Sequence, residues 1–325
     1  MKISVIVPVK KSRNLKDLLD SLSKQTYKNF EVLIVGDFKK MAIPKKLRGK
    51  IKFLRKPKVS ANKARNIGIK LARGSVIAFT DSDCRVDKDW LKFLYNYFKK
   101  GFSCVAGSVF ETKRTFASRY LATSIFRTFP VYHENVLISE DNFHSSRYPI
   151  GCNIAFRKKI FEKVGYFDEE MYGYEEIDFL WKFLRRGYII LCTPDSKVWH
   201  NHRRGIITLI GRYFRDGHGC GQFCVKYPFS RFAIGRLSIL FLWMLYLTIF
   251  FSSFSFYTIL FLTIIPLVVL SSFYVKRLLK KREVGIIIYP FLDCLYCFIA
   301  YPLGMLIGIL KSLIRKHYGK LEILS

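Results

Sequence analysis

A run of 39 residues, Leu237 to Val275, contains no charged side chain. One membrane-crossing helix needs about 20 apolar residues. The run is about twice that length, and the polar turn SSFS at 252–255 divides it into a helical hairpin. Uncharged stretches this long are rare in soluble domains, which argues against a soluble helical core. KRLLKKR (276–282) follows, with five basic residues in seven. A third apolar segment, 285–310, carries Pro290, Asp293 and Pro302. Ahead of the run, 205–231 mixes glycines, aromatics and basic residues, which suits an amphipathic segment lying on a membrane surface. The chain therefore reads as residues 1–204, an interfacial segment 205–231, and a membrane region 232–325 with its hairpin over about 237–275.

Charge orients these regions. The chain has 55 Lys and Arg against 24 Asp and Glu, a formal net charge of +31. Such an excess fits nucleic acid or an anionic membrane surface. No zinc-finger or RNP-type signature supports nucleic acid, and the apolar tail supports the membrane. The positive-inside rule places both the basic N-terminal region and KRLLKKR in the cytoplasm, which two spans satisfy. A third full span would put Lys311, Arg315, Lys316 and Lys320 outside. Either the third segment is re-entrant or interfacial, or the C-terminal tail is an exception to the rule. The eight cysteines read as free thiols of a reducing compartment. The opening MKISVIVPVK has too short an apolar run for a secretory signal. The expectation is a multi-pass protein of the cell membrane with residues 1–204 on the cytoplasmic side.

Residues 1–204 show a different pattern. ISVIVPV (3–9), FEVLIV (30–35), IKFL (51–54) and SVIAF (75–79) are short, nearly continuous apolar runs of strand type. Between them, Asn14 caps a helix whose Leu15, Leu18, Leu19 and Leu22 share a face, and Ser60 starts another with Ala61, Ala64, Gly68 and Leu71. This alternation indicates an α/β fold with a mainly parallel sheet. Such sheets bind ligands outside the carboxyl ends of their strands. Lys10, Asp37 and the triplet Asp81-Ser82-Asp83 stand at those ends.

The acids are gathered. Asp81, Asp83, Asp87 and Asp89 form one cluster, and DEEMYGYEEID (168–178) holds six more, together ten of the 24. Asp87 and Asp89, ahead of WLKFLYNYF, read as helix-capping acids. His202, His218 and Cys220 read as structural or surface residues.

With these residues in view, 3–204 resembles a family 2 glycosyltransferase with the GT-A fold. The resemblance rests on SVIVPVK (4–10), SLSKQTYKNFEVLIVGD (21–37), ANKARNIGIKLARGSVIAFTDSDC (61–84), GCNIAFRKKIFEKVGYFDE (151–169), YEEIDFLWKFLRRGY (174–188) and VWHNHR (198–203), in that order. The resemblance implies a nucleotide-sugar donor whose nucleotide pocket includes Pro8, Val9 and Asp37. It implies that Arg65 contacts the base or a phosphate, that Asp81-Ser82-Asp83 is the D-x-D motif, and that Arg203 faces the diphosphate. Asp83, joined by His200, would hold a divalent cation, Mn²⁺ or Mg²⁺. Glu175-Glu176 stands where the family usually has Glu-Asp, and the second position is the usual catalytic base. Gly36 replaces the first Asp of the family's usual Asp-Asp pair. No Gln-x-x-Arg-Trp follows residue 178, which favours a single transfer over polymerisation.

The chemistry is consistent with two acidic sites. A sugar diphosphate leaves only when its charge is neutralised, which a hard cation on carboxylate oxygens achieves. The acceptor hydroxyl needs a positioned carboxylate to take its proton. The helix opening at Glu175 has Ile177, Leu180, Trp181 and Leu184 as its buried face, and Glu175 and Glu176 diverge by about 100°. With the membrane tail, the acceptor is expected to be lipid-linked or a membrane-proximal glycan, chosen by segment 110–148. The competing classes are a catalytically silent nucleotide-sugar or membrane-binding module and, more remotely, a basic nucleic-acid binder.

Overall fold

A computed structural model describes residues 1–9, 15–38, 42–112, 115–124, 126, 129–201, 205–252, 255–281 and 288–324. Lys10, Asn14, Arg203 and positions 253, 254 and 282 lie outside them. The elements begin β1 (Ile3–Val9), α1 (Leu15–Ser23), β2 (Phe30–Gly36), β3 (Ile51–Arg55), α2 (Ala61–Leu71), β4 (Val76–Phe79), β5 (Cys84–Val86), α3 (Trp90–Lys99) and β6 (Cys104–Glu111). Then come α4 (Phe116–Thr123), β7 (Val136–Ile138), β8 (Ile154–Arg157), α5 (Ile160–Val164), α6 (Glu175–Leu184) and β9 (Ile190–His200). Helices complete the chain: α7 (Ile206–Lys226), α8 (Arg231–Ser252), α9 (Phe256–Lys281), α10 (Tyr289–Leu295) and α11 (Tyr301–Leu324). A π-helical turn, Tyr296–Ala300, joins the last two.

The chain divides into two units: 1–114 with 128–170 and 175–202, and 115–127 with 171–174 and 203–325. In the first, among the described residues, nine strands form one sheet in the order β3-β2-β1-β4-β8-β6-β9-β5, with β7 also on β9. β1, β2, β3, β4, β6 and β9 run one way and β5, β7 and β8 the other. This is the expected mixed α/β sheet with mainly parallel strands. β1 is buried at every position because both of its faces are covered, which explains its nearly continuous apolar sequence, and its one polar side chain, Ser4, donates to Glu31 of β2. α1 turns Leu15, Leu18, Leu19 and Leu22 into the same core as Val5, Val7, Val32 and Ile34.

Local chemistry sets the helix starts. The Ser60 hydroxyl accepts from the Lys63 N–H at 3.2 Å, a cap that releases α2 directly from the loop after β3. Asp89 occupies the cap position of α3, where its carbonyl accepts from the Phe93 N–H but its side chain makes no capping bond. Its carboxylate accepts instead from the Thr26 hydroxyl at 2.6 Å, while Asp87 accepts from the Asp89 N–H. The expected capping role therefore belongs to a tie between α1's following loop and α3.

The second unit is helical. Tyr120, Leu121, Leu209, Tyr213, Tyr274, Tyr289, Leu292 and Ala300 form its buried cluster. Among the described residues, two stretches are long and apolar enough to cross a membrane by length and composition, Arg231–Ser252 and Tyr289–His317. Within α9, Leu262–Val275 is a shorter apolar helix among the described residues.

Candidate active site

The sheet brings its polar strand ends to one edge. β1 pairs in parallel with β2 on one side and β4 on the other, so Val9, Gly36 and Phe79 end their strands at one edge. Asp37 follows β2 and is exposed. Its N–H donates to the Val9 carbonyl at 2.9 Å, which closes the β1–β2 end where Pro8 and Val9 lie. Gly36 has φ +137°, and a Cβ there would stand 2.0 Å from the Val9 carbonyl oxygen. The position has no room for a side chain, which accounts physically for the missing first Asp. Asp37 is two strands from β4, roughly 10 Å at the usual strand spacing.

Arg65 is the hub of the acidic groups. It is 3% exposed on α2. Its Nη2 faces Asp81 Oδ1 at 3.6 Å and Glu176 Oε1 at 3.2 Å, and its Nη1 faces Glu175 Oε1 at 3.5 Å. Two acidic clusters far apart in sequence thus meet on one guanidinium. Burial works against the charge of Arg65, but Glu176, Asp81 and Glu175 outweigh it and raise its pKa above the usual arginine value. The resemblance implies that Arg65 contacts base or phosphate. In the structure its terminal nitrogens face these carboxylates, and Nε is buried with no hydrogen-bond partner among the described residues.

The rest of α2 fastens the second acidic segment. Asn62 donates to the Asp168 carbonyl at 2.9 Å. Asn66 donates to the Phe167 carbonyl and Glu169 carboxylate, both at 2.9 Å, and accepts from the Phe167 N–H at 3.1 Å. These two asparagines are functional supports that residue-type reasoning missed. Their spacing around Arg65, on one helix face, was the available signal.

Glu175 and Glu176 open α6, whose Ile177, Leu180, Trp181 and Leu184 are buried as expected. Asp178, the next carboxylate along, is fully buried and ion-paired with Lys182 at 3.0 Å, so it does not face the site's opening. Of the adjacent pair, Glu176 shares a guanidinium nitrogen with Asp81, whereas Glu175 takes the other. Gly151 closes the remaining side: a Cβ there would stand 2.3 Å from Glu176 Oε1 and 2.9 Å from Arg65 Nη2. A Gly151→Ala variant is therefore expected to fold, because only the ends of two side chains, the Glu176 carboxylate and the Arg65 guanidinium, must move and no backbone is met, while its turnover falls about 10², the usual cost of an ångström-scale misplacement. A thermal melt beside a steady-state assay checks both halves.

Asp83 and His200 form the second focus. Asp83 Oδ1 lies 3.3 Å from His200 Nε2. β5 carries Cys84 in register with His200 on β9, and the Asn201 N–H donates to the Asp83 carbonyl at 2.9 Å. Asp83, Cys84 and His200 offer ligand atoms within 4.8 Å of one another. Burial pushes the Cys84 thiol well above its usual range. Hard cations favour oxygen donors over soft thiolates, so the useful donors are the carboxylate and, beside it, the imidazole. That set suits Mn²⁺, and with added phosphate and water oxygens also Mg²⁺. Glu111 ends β6 in register with His200 and is largely buried. Arg203 lies outside the described residues.

Fold and site together define an α/β domain with acidic groups gathered at its strand ends, and comparison with known proteins places it in a family. Residues 4–165 match the family described as glycosyl transferase family 2, and the chain belongs to that family, with its GT-A arrangement of the sheet. Glycosyltransferase GlyA of Streptococcus pneumoniae serotype 4 is 26% identical over 225 residues, covering 61% of this chain and 32% of that protein. An uncharacterized glycosyltransferase of Rickettsia conorii is 39% identical over 106 residues, 30% of this chain and 17% of that one. The crystal structure of S. aureus TarS 1-349 aligns at a TM-score of 0.49 and 17% identity, covering 94% of this chain and 90% of that chain. The chain thus spans about a third or less of the length of these two curated relatives.

Proposed function

We propose that the chain transfers one sugar from a nucleoside diphosphate donor to a lipid-linked or membrane-proximal acceptor, with inversion at the transferred carbon. The observation that carries this reading is the assembly of Asp81, Glu175 and Glu176 on Arg65 at the end of β4. A silent binding module has no need of a carboxylate held rigidly beside the D-x-D motif. The donor's nucleoside lies against Pro8, Val9 and Asp37, and its ribose and diphosphate run toward Asp81-Ser82-Asp83. Glu176 accepts the proton of the acceptor hydroxyl as that oxygen attacks the carbon from the face opposite the leaving diphosphate. Asp83 and His200 would hold a divalent cation, which when bound would supply Lewis-acid neutralisation of the diphosphate. Arg65 keeps the three carboxylates in a fixed arrangement rather than touching the donor.

The tail anchors the enzyme in a membrane. Of the apolar stretch in α8, only 11% is buried, so this helix is not the core of a soluble domain. Ile239, Phe241, Leu242, Leu245 and Ile249 are exposed around its circumference. α8 and α9 cross the bilayer as a hairpin, and the catalytic domain lies on the cytoplasmic side with the basic residues flanking the hairpin. An anionic leaflet is then the natural surface for a chain of net charge +31.

Calorimetry of the detergent-solubilised chain against a panel of nucleoside diphosphate sugars tests the reading. Binding is expected with Mn²⁺ and not with EDTA, and Asp83→Asn is expected to remove the difference between the two. Slow hydrolysis of the bound donor separates the enzyme from a silent module. Equal affinity in both arms would refute metal-dependent donor binding.

A further inference from the structure

Hydropathy alone offers Tyr289–His317 as a second crossing helix. The contacts of this stretch assign it another place. We infer that α10, the π-turn and α11 do not cross the membrane but lie with α7 as a platform in its cytoplasmic leaflet. This rests on the membrane anchoring proposed above for α8 and α9.

The first argument is covalent. Residues 115–127 and 171–174 pack with the helical unit, yet each is bounded on both sides in the chain by catalytic-domain residues. Neither segment can therefore reach the far side of a bilayer. Both hold the third apolar stretch. Asp293 is fully buried and accepts from the Tyr120 hydroxyl at 2.6 Å and the Ser124 hydroxyl at 2.7 Å. The Tyr174 and Tyr301 hydroxyls lie 2.9 Å apart. Asp293 and Tyr301 are thereby fixed on the catalytic-domain side at two points eight residues apart.

The second argument uses the hairpin's own ends. Asp293 also accepts from Tyr274, two residues before the basic run opens at Lys276. Tyr213 of α7 donates to the Tyr120 hydroxyl at 2.8 Å and shares a buried cluster with Tyr274. Ten residues on, the Phe223 ring is 5.2 Å from Phe232, and Cys224 Sγ is 3.9 Å from the Ala233 carbonyl oxygen. α7 thus runs from the charged end of α9 to the charged start of α8, about 15 Å along its axis. A helix that joins the two ends of a hairpin on one side lies in the membrane plane. Arg212, Arg215 and Asp216 within it fit that position and not a crossing one.

α11 follows α7. A Cβ on Gly304 would stand 2.1 Å from the Phe214 carbonyl oxygen, and one on Gly308 2.1 Å from that of His218. The two backbones therefore touch along this stretch, and α11 shares the plane of α7. Leu303, Ile307, Leu310 and Ile314 recur at helical spacing and are exposed. The apolar leaflet interior is the occupant that fits this stripe, since Lys311, Arg315 and Lys316 interrupt the same helix as they would at a headgroup boundary. The π-turn makes the single dip: the Phe298 carbonyl accepts from Trp243 Nε1 at 2.9 Å, seven residues past Arg236. The segment enters the leaflet by roughly 10 Å there and turns back. Lys311, Arg315, Lys316 and Lys320 then stay inside, in keeping with the positive-inside rule.

The test reads depth in vesicles of phosphatidylcholine with phosphatidylglycerol. A nitrobenzoxadiazole label is placed singly on cysteines introduced at 242, 303, 307, 310 and 314 in the full chain, and is quenched by lipids brominated at several chain depths. Label at 242 is expected deep, and labels at 303–314 uniformly shallow. A depth that changes steadily from 303 to 314 would mean that α11 crosses and would overturn the inference alone. A shallow or unquenched 242 would instead remove the anchoring it rests on. As a second reading, an epitope after Ser325 is expected to be digested by protease only after spheroplasts are lysed. Digestion in intact spheroplasts places the C-terminus outside and also overturns the inference.

Discussion

Glu176→Gln is expected to lower turnover by about 10²–10⁴, the usual contribution of a general base, while donor affinity in the presence of Mn²⁺ stays near that of the parent. The amide keeps the size of the carboxylate and can still meet Arg65 through its carbonyl oxygen, but it cannot take a proton. Glu175→Gln is expected to cost less. The difference follows from the guanidinium fork: Glu176 lies on the nitrogen that also faces Asp81, and Glu175 on the other. The Glu176 carboxylate is thus the one that shares a guanidinium nitrogen with Asp81. Steady-state kinetics with calorimetry on the same preparations decides the matter. Normal turnover in Glu176→Gln together with a dead Glu175→Gln would shift the base by one position. Full activity in both would remove α6 from the chemistry, and buried, Lys182-paired Asp178 is poorly placed to replace them.

Much of the sheet was legible in the amino-acid pattern. β1, β2 and β4 are almost wholly buried, so their sequences are nearly continuous apolar runs, broken only by Ser4 and by Glu31, which accepts from the Ser4 hydroxyl, and polar residues follow their ends. β8 was harder to see. Its four residues inside GCNIAFRKK make an apolar run too short to distinguish strand from helix by period, and its antiparallel place between β4 and β6 depends on contacts remote in sequence. The same limit applies to the site. Asp81, Asp83, Glu175, Glu176 and His200 could be singled out by residue type and position. That the two acidic clusters converge could not, because convergence depends on Arg65 and on the paired asparagines that hold 167–169. Local spacing within ANKARN shows that Asn62, Arg65 and Asn66 share a face, but not which segment that face meets. Gly151 carries no chemistry of its own, and only its nearness to the Glu176 carboxylate gives it a role.

Arg65 supplies the sharpest test of how the site is held. A residue that contacts the donor from the surface of a pocket should, when lost, weaken binding and leave the fold intact. A buried guanidinium between three carboxylates should behave differently. Removing it leaves Asp81, Glu175 and Glu176 facing one another in a partly desolvated site, and breaking a buried ion pair by deleting one partner costs about 3–5 kcal/mol. The carboxylates keep 18–31% of their side-chain exposure, and water screens part of their repulsion, so about 3 kcal/mol is the expected loss for Arg65→Met. Turnover should fall with it as Glu176 loses its anchor. Arg65→Lys should fall between, because one ammonium cannot reproduce a planar fork that serves carboxylates on two nitrogens. Charge removal should then act as a partial rescue: Arg65→Met with Glu175→Gln is expected to melt above Arg65→Met alone, since one of three repelling charges has gone. Thermal melts of the four detergent-solubilised chains, with donor calorimetry on each, separate the two roles. A Arg65→Met chain that melts like the parent and loses only donor affinity would return Arg65 to the nucleotide and leave the carboxylates held by something else.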